Sequence, residues 1–130
     1  MNSDFTDQQR NTMAKKKKQI SITVELDDQN IPSNILWEAT DSKEEQPVAC
    51  RAMLLSLWDH NSKSTLKLDL WTRKMMQDEM KIFFHQTLVS MADSLEKATN
   101  DKRITGDMRD FCDYFAERME IADWNDGSKQ

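Results

Sequence analysis

The chain has 130 residues, with 18 Lys or Arg against 23 Asp or Glu and a formal net charge of -5. At 38% hydrophobic and 32% charged residues, with only 2 Gly and 2 Pro, it excludes collagen-like, mucin-like and disulfide-dense proteins and fits a soluble α-rich or α+β domain. A chain of this length buries roughly 65–70% of its unfolded surface, which allows one domain with a core of its own.

Residues 1–17, MNSDFTDQQRNTMAKKK, show no sustained periodicity and few large apolar side chains. They are expected to form a basic, disordered leader ahead of a single α+β domain over residues 18–122, with 123–130 as a C-terminal tail. From Gln19, the apolar residues Ile20, Ile22, Val24 and Leu26 alternate with Ser21, Thr23 and Glu25, which predicts an antiparallel strand with one apolar face. Asp27-Asp28-Gln29-Asn30 with Pro32 and Asn34 is turn chemistry, and Ile35, Trp37 and Ala39 then share one face of a second strand.

After a polar loop over 41–46, the run from Val48 to Trp58 is apolar on both alternating faces, which predicts one long central strand covered on both sides. His60 to Ser64 reads as a hairpin loop leading to a fourth strand, with Leu66, Leu68 and Leu70 on one face and Lys67 and Asp69 on the other. Trp58 and Trp71 fall at strand ends and Trp37 within a strand.

Met76, Met80, Phe83, Phe84, Leu88, Met91, Ala92, Leu95 and Ala98 recur at helical steps, an apolar stripe over roughly 24 residues or ~36 Å of helix. Asp78 and Glu79 suit its first turn, Asp93 and Lys97 form an i,i+4 pair, and Asn100-Asp101 ends it. Thr105 is the predicted cap of a second helix whose inner stripe is Met108, Phe111, Cys112, Phe115, Ala116 and Met119, fading near Asn125-Asp126-Gly127. The predicted fold is α+β: a four-stranded antiparallel meander followed by two amphipathic helices on one sheet face. Two helices cannot cover both faces of four strands, so a homo-oligomer, a dimer or higher, is expected.

No window approaches the ~20 apolar residues of a membrane-spanning helix, and Lys15 to Lys18 stand where a secretory signal would be apolar, so a cytoplasmic protein with no direct membrane insertion is expected. Cys50 and Cys112 sit among apolar neighbours, as buried thiols do in a reducing compartment. Residues 1–18 carry five Lys or Arg against two Asp, whereas 76–126 carry six against twelve acids. An acidic folded part argues against nucleic acid as a partner.

Signatures of chemistry are missing: there is no Gly-rich phosphate loop, Cys-x-x-Cys, His-Glu-x-x-His or Gly-x-Ser-x-Gly. No catalytic residue, cofactor or metal is therefore expected. His60 lies in a loop, and His85 reads as a half-buried helix residue whose possible partner is Asp78 two turns away. Asp110, Asp113, Glu117 and Glu120, spaced three and four apart, form an acidic stripe with Arg109 and Arg118 nearby; it is either a solvated face or a docking surface for a basic partner. Met75, Met76, Met80 and Met91 are either core or the lining of an adaptable groove. Trp124 falls where it would fold back on the core or mark an interface.

The runs Ala52-Met53-Leu54-Leu55-Ser56-Leu57-Trp58-Asp59, Thr65-Leu66-Lys67-Leu68-Asp69-Leu70-Trp71-Thr72, Phe84-His85-Gln86-Thr87-Leu88-Val89-Ser90-Met91-Ala92-Asp93 and Met108-Arg109-Asp110-Phe111-Cys112-Asp113-Tyr114-Phe115-Ala116-Glu117 together resemble the gliding-motility-associated GldC family of Bacteroidetes, over about residues 18–121. The resemblance implies a small cytoplasmic accessory of the gliding machinery, tied to type IX secretion, that works by protein–protein interaction and has another gliding-machinery protein as partner. As a fold analogy, four strands followed by two helices also resemble the export chaperone SecB, which would make the apolar surface around Met76, Met80 and Phe83 a holdase site.

Overall fold

A computed structural model describes residues 16–43 and 47–121. Most of the predicted leader, residues 44–46 of the polar loop and the tail with Trp124 lie outside the described residues. The described chain falls into two compact units that divide between Lys74 and Met75.

In the first unit the period-2 alternation forms β1 (Ile20–Leu26), paired antiparallel with β2 (Pro32–Ala39), so that Ile22 faces Trp37 and Val24 faces Ile35. The turn between them is closed by Asp27, whose Oδ1 accepts the N–H groups of Gln29 at 2.8 Å and Ile31 at 3.0 Å. Asn30 takes the left-handed conformation there, at φ 62, which Asn tolerates better than most residues. Strand β3 (Val48–Cys50) completes a three-stranded sheet on the other side of β2.

The predicted third strand is two strands. Beyond Arg51 the chain continues as β4 (Ala52–Asp59), which leaves the first sheet and pairs with β5 (Ser64–Trp71) in a second, two-stranded sheet. The architecture is therefore three strands plus two, not one four-stranded meander. Register explains the break. Val48 and Cys50 share the face of Ile35 and Trp37, whereas the aliphatic face of the hairpin carries Met53, Leu55 and Leu57 opposite Leu70, Leu68 and Leu66. These two apolar sets are out of phase by one residue, and an interruption of one residue brings such sets into phase.

The expectation of a central strand covered on both sides fails, because Leu57 is 54% and Trp58 66% exposed. The hairpin loop is four residues, with Lys63 at φ 54 and its N–H on the Asp59 carbonyl. A two-stranded sheet is marginal by itself, and this one is tied to its neighbour at its base. Thr72 N–H donates to Arg51 O at 2.8 Å, the Arg51 guanidinium reaches Lys74 O at 3.3 Å, and Arg73 donates to Gln29 Oε1 at 2.7 Å and lies 3.8 Å from Asp27.

The second unit is a pair of helices, α1 (Gln77–Thr99) and α2 (Lys102–Arg118). Asn100 ends α1 in the left-handed region at φ 56 and ψ 25, and the next residue, Asp101, already caps α2 by accepting from Arg103 N at 3.2 Å and Ile104 N at 3.3 Å. The predicted cap, Thr105, is instead buried in the first turn of α2, its hydroxyl on Asp101 O and Glu96 Oε1. Asp101 wins because its carboxylate reaches two orphan amides from one position.

Helix α2 also stops earlier than predicted, at Arg118. Glu120 turns left-handed at φ 54, and paired bonds from Glu120 N to Glu117 O and from Ile121 N to Ala116 O close the end, the 5→2 and 6→1 pattern of a Schellman motif. At the start of α1, Glu79 Oε1 accepts the Met76 N–H at 3.1 Å, while Met76 occupies the N-cap. Met76→Ser would complete the reciprocal cap with little loss of packing, since Met76 is 62% exposed. It is expected to stabilise the chain by about 1 kcal/mol in urea denaturation.

Candidate interaction surface

Two apolar stripes with three- and four-residue spacing oblige α1 and α2 to face one another. Ala92, Cys112 and Ala116 are buried at the contact, with His85 at 1% exposure between them. The His85 Nε2 lies 2.9 Å from the Cys112 carbonyl, and its ring stacks on Phe115 with centroids 6.0 Å apart. The half-buried histidine expected from sequence is thus fully enclosed. A rise of seven residues, ~10 Å along the axis, separates it from Asp78.

At the other end of the contact, Arg109 reaches Glu96 Oε1 at 2.9 Å and Asp93 Oδ1 at 3.0 Å, and Thr105 Oγ1 donates to the same Glu96 oxygen at 3.1 Å. Arg109 was expected to neutralise the acidic stripe of its own helix and Asp93 to pair with Lys97; the fork instead ties the two helices together. Hydrogen bonds from Arg109 and Thr105 hold the Glu96 carboxyl below its ordinary 4.5. Because the folded value is lowered, the stabilisation is complete above 4.5 and is lost as the pH falls below it. Glu96→Gln is therefore expected to flatten the acid limb of the stability profile below 4.5, followed by thermal denaturation at each pH.

Both cysteines are free, Cys112 buried and Cys50 half-buried. Burial pushes both thiols above their ordinary 9.0, and Asp113 adds to the effect at Cys112. They are protonated at neutral pH, unlike reactive thiolates. No group of three metal-ligating side chains occurs among the described residues.

The predicted docking residues separate into distinct groups. Asp110 and Glu117 are exposed on the outside of α2 and Asp113 is half-buried, whereas Glu120 lies beyond the helix end and leaves the stripe. Between the acids stand two aromatic rings whose outward placement the spacing does not reveal: Phe111, 50% exposed, and Tyr114, 55% exposed, with centroids 6.1 Å apart. Phe111 was expected in the inner stripe. Cys112, Phe115 and Ala116 fill that side, and Phe111 precedes Cys112 by one position, about 100° around the helix. The outer face of α2 is therefore an acidic and aromatic patch.

Of the methionine-centred surface, Met76 is exposed at the cap, Phe83 is half-buried with its ring edge-on to Phe84, and Met80 lines a groove. That groove, about 400 Å³, runs between the start of α1 and the end of α2 and is lined by Gln77, Met80, Lys81, Phe84, Phe115 and Met119. Phe84, Phe115 and Met119 were not predicted there. The signal was the i,i+4 pairing of Met80 with Phe84 and of Phe115 with Met119, which places each pair on one face. Trp124 lies outside the described residues.

Antiparallel strands followed by a tightly closed helical pair make this an α+β protein. Residues 32–121 match the family model described as gliding motility-associated protein GldC-like, and the chain belongs to that family. The match starts at the first residue of β2 and ends at the last residue of the α2 closing turn, leaving β1 outside it. No curated protein matches the chain, and no solved structure does, so the likeness to SecB gains no support. Among the described residues, no helix is long and apolar enough to cross a membrane.

Proposed function

We propose that this GldC-like chain is a non-enzymatic cytoplasmic accessory of the gliding machinery, linked to type IX secretion, that self-associates and docks a basic, partly apolar region of another motility component. The reading rests above all on the α2 patch. Phe111 and Tyr114 are about half exposed between the exposed carboxylates of Asp110 and Glu117. Aromatic side chains are enriched in protein contacts, Tyr among the few residues that carry most binding energy, and surrounding charges select the partner and speed its arrival. An acidic patch of this kind disfavours nucleic acid and anionic lipid, so neither is proposed as a ligand.

Reversing Asp110 and Glu117 to lysine leaves the inner contact of α2 untouched. It is expected to abolish recovery of the partner from gliding cells while the circular dichroism spectrum is unchanged. Undiminished recovery would remove α2 from the interaction.

The apolar groove at Met80, Phe84, Phe115 and Met119 favours a second reading, a holdase that shelters unfolded or exported chains. Its mark would be slowed aggregation of an unfolded client at a stoichiometric ratio. A client that aggregates at its unassisted rate would eliminate it.

A further inference from the structure

Strand β1 is first in the order of its sheet, so among the described residues no strand lies against its outer edge. Natural proteins protect such edges with lysine, proline or brevity. Here the edge is seven residues, Ile-Ser-Ile-Thr-Val-Glu-Leu, with neither lysine nor proline; its one charge, Glu25, and the one shift in its register with β2, between Glu25 and Leu26, lie at its far end. Backbone directions follow from its start: Thr40 N–H donates to Gln19 O at 3.0 Å, and Gln19 N–H to Thr40 Oγ1 at 3.2 Å. Polar groups alternate along a strand, so Ser21, Thr23 and Glu25 turn theirs toward β2, in agreement with the Ser33 hydroxyl on Glu25 O at 3.1 Å. Ile20, Ile22 and Val24 turn their N–H and C=O groups outward.

We infer that β1 pairs antiparallel with β1 of a second copy across a two-fold axis at Thr23, joining two three-stranded sheets into one of six strands. The inference rests on the self-association proposed above and assigns its interface. The sequence of β1 is apolar at both ends and alternates evenly about Thr23. The two-fold pairing therefore sets Ile20 against Leu26 and Ile22 against Val24 on one face, and Ser21 against Glu25 on the other. No like charges meet. The same register carries the basic flank Lys16-Lys17-Lys18, where Lys18 also pairs with Asp41 of its own chain at 3.2 Å, alongside the acidic turn Asp27-Asp28 of the second copy, where Asp27 also faces Arg73 at 3.8 Å, at both ends of the contact.

Exposure fits this occupant. Ile20 is 61%, Ile22 38% and Leu26 54% exposed in the single chain. Across two copies these side chains offer at most on the order of 500 Å², to which the seven-residue backbone edges add, an area at the small, weakly associating end of protein interfaces.

The test uses the full chain and light scattering at graded concentration. Thr23 is exposed on the polar face, so its substitution spares the β1–β2 pairing. At the axis it would meet its own copy as a non-hydrogen-bonded pair, with Cα atoms ~4.5 Å apart. Thr23→Lys and Thr23→Glu are each expected to weaken the dimer on the order of 100-fold, and an equimolar mixture of the two to restore it as a heterodimer.

Thr23→Cys, which introduces no charge, is expected to give a disulfide-linked dimer on mild oxidation, since ~4.5 Å suits a disulfide. A dimeric wild type whose charged variants also remain dimeric would overturn the β1 contact while leaving self-association standing. A wild type monomeric at all concentrations would overturn both. Folded, monomeric charged variants that fail to recombine, together with a Thr23→Cys chain that does not crosslink, would overturn the axis at Thr23.

Discussion

Replacing His85 by alanine is expected to cost about 2–4 kcal/mol of stability, the range for truncating a large buried side chain. The ring is 1% exposed, stacks on Phe115 and sits with Nε2 2.9 Å from the Cys112 carbonyl. Alanine would leave both the stack and the hydrogen bond unmade. His85→Phe keeps a ring in the site and loses mainly the polar contact, so its cost should be about 1 kcal/mol. Urea denaturation gives both values. The rate at which Cys112 reacts with a thiol reagent gives an independent readout, because the cavity opens beside it. A loss below about 0.5 kcal/mol for His85→Ala would mean that the ring does not hold the helices together.

The second large effect is expected at the surface. Phe111→Ala combined with Tyr114→Ala should weaken capture of the motility partner by about 2–4 kcal/mol, roughly 30- to 1,000-fold in Kd. Both rings are about half exposed, so the same pair of changes should move stability by no more than about 1 kcal/mol. Titrating the immobilised variant with partner purified from wild-type captures separates the two effects. A loss of affinity confined to the Asp110 and Glu117 reversals, with the ring variants unchanged, would make the contact purely electrostatic and transfer the energetic role from the rings to the acids.

Much of the fold was legible because it depends on local periodicity. The alternation from Ile20 to Leu26 and the stripe along α1 produced the elements expected, and Asn100-Asp101 ended the first helix as its chemistry requires. The break at Arg51 was hidden for a physical reason. Apolar residues on both alternating positions read either as a strand covered on two sides or as a strand whose phase slips once, and only pairing partners distinguish the two. Val48 and Cys50 belong with β2, and Met53 to Leu57 with β5.

Thr105 looked like a cap because its type is right. Asp101 took the position because the connection from α1 is a single left-handed residue, too short to delay the start of α2. At the candidate surface, the acids of α2 were visible as spacing. That Phe111 would face outward was not, because Phe111 and Cys112 are equally apolar neighbours and the partner helix admitted the smaller one.

The turn at Asn100 and Asp101 has a kinetic consequence. Bringing α1 against α2 closes almost no loop, so little chain entropy opposes it, and contacts such as Glu96 with Thr105 join residues close in sequence. The strand pairs of the other unit include β2 with β3, which must gather a longer connecting segment first. After dilution from denaturant, the helical hairpin should regain its amide protection ahead of the three-stranded sheet.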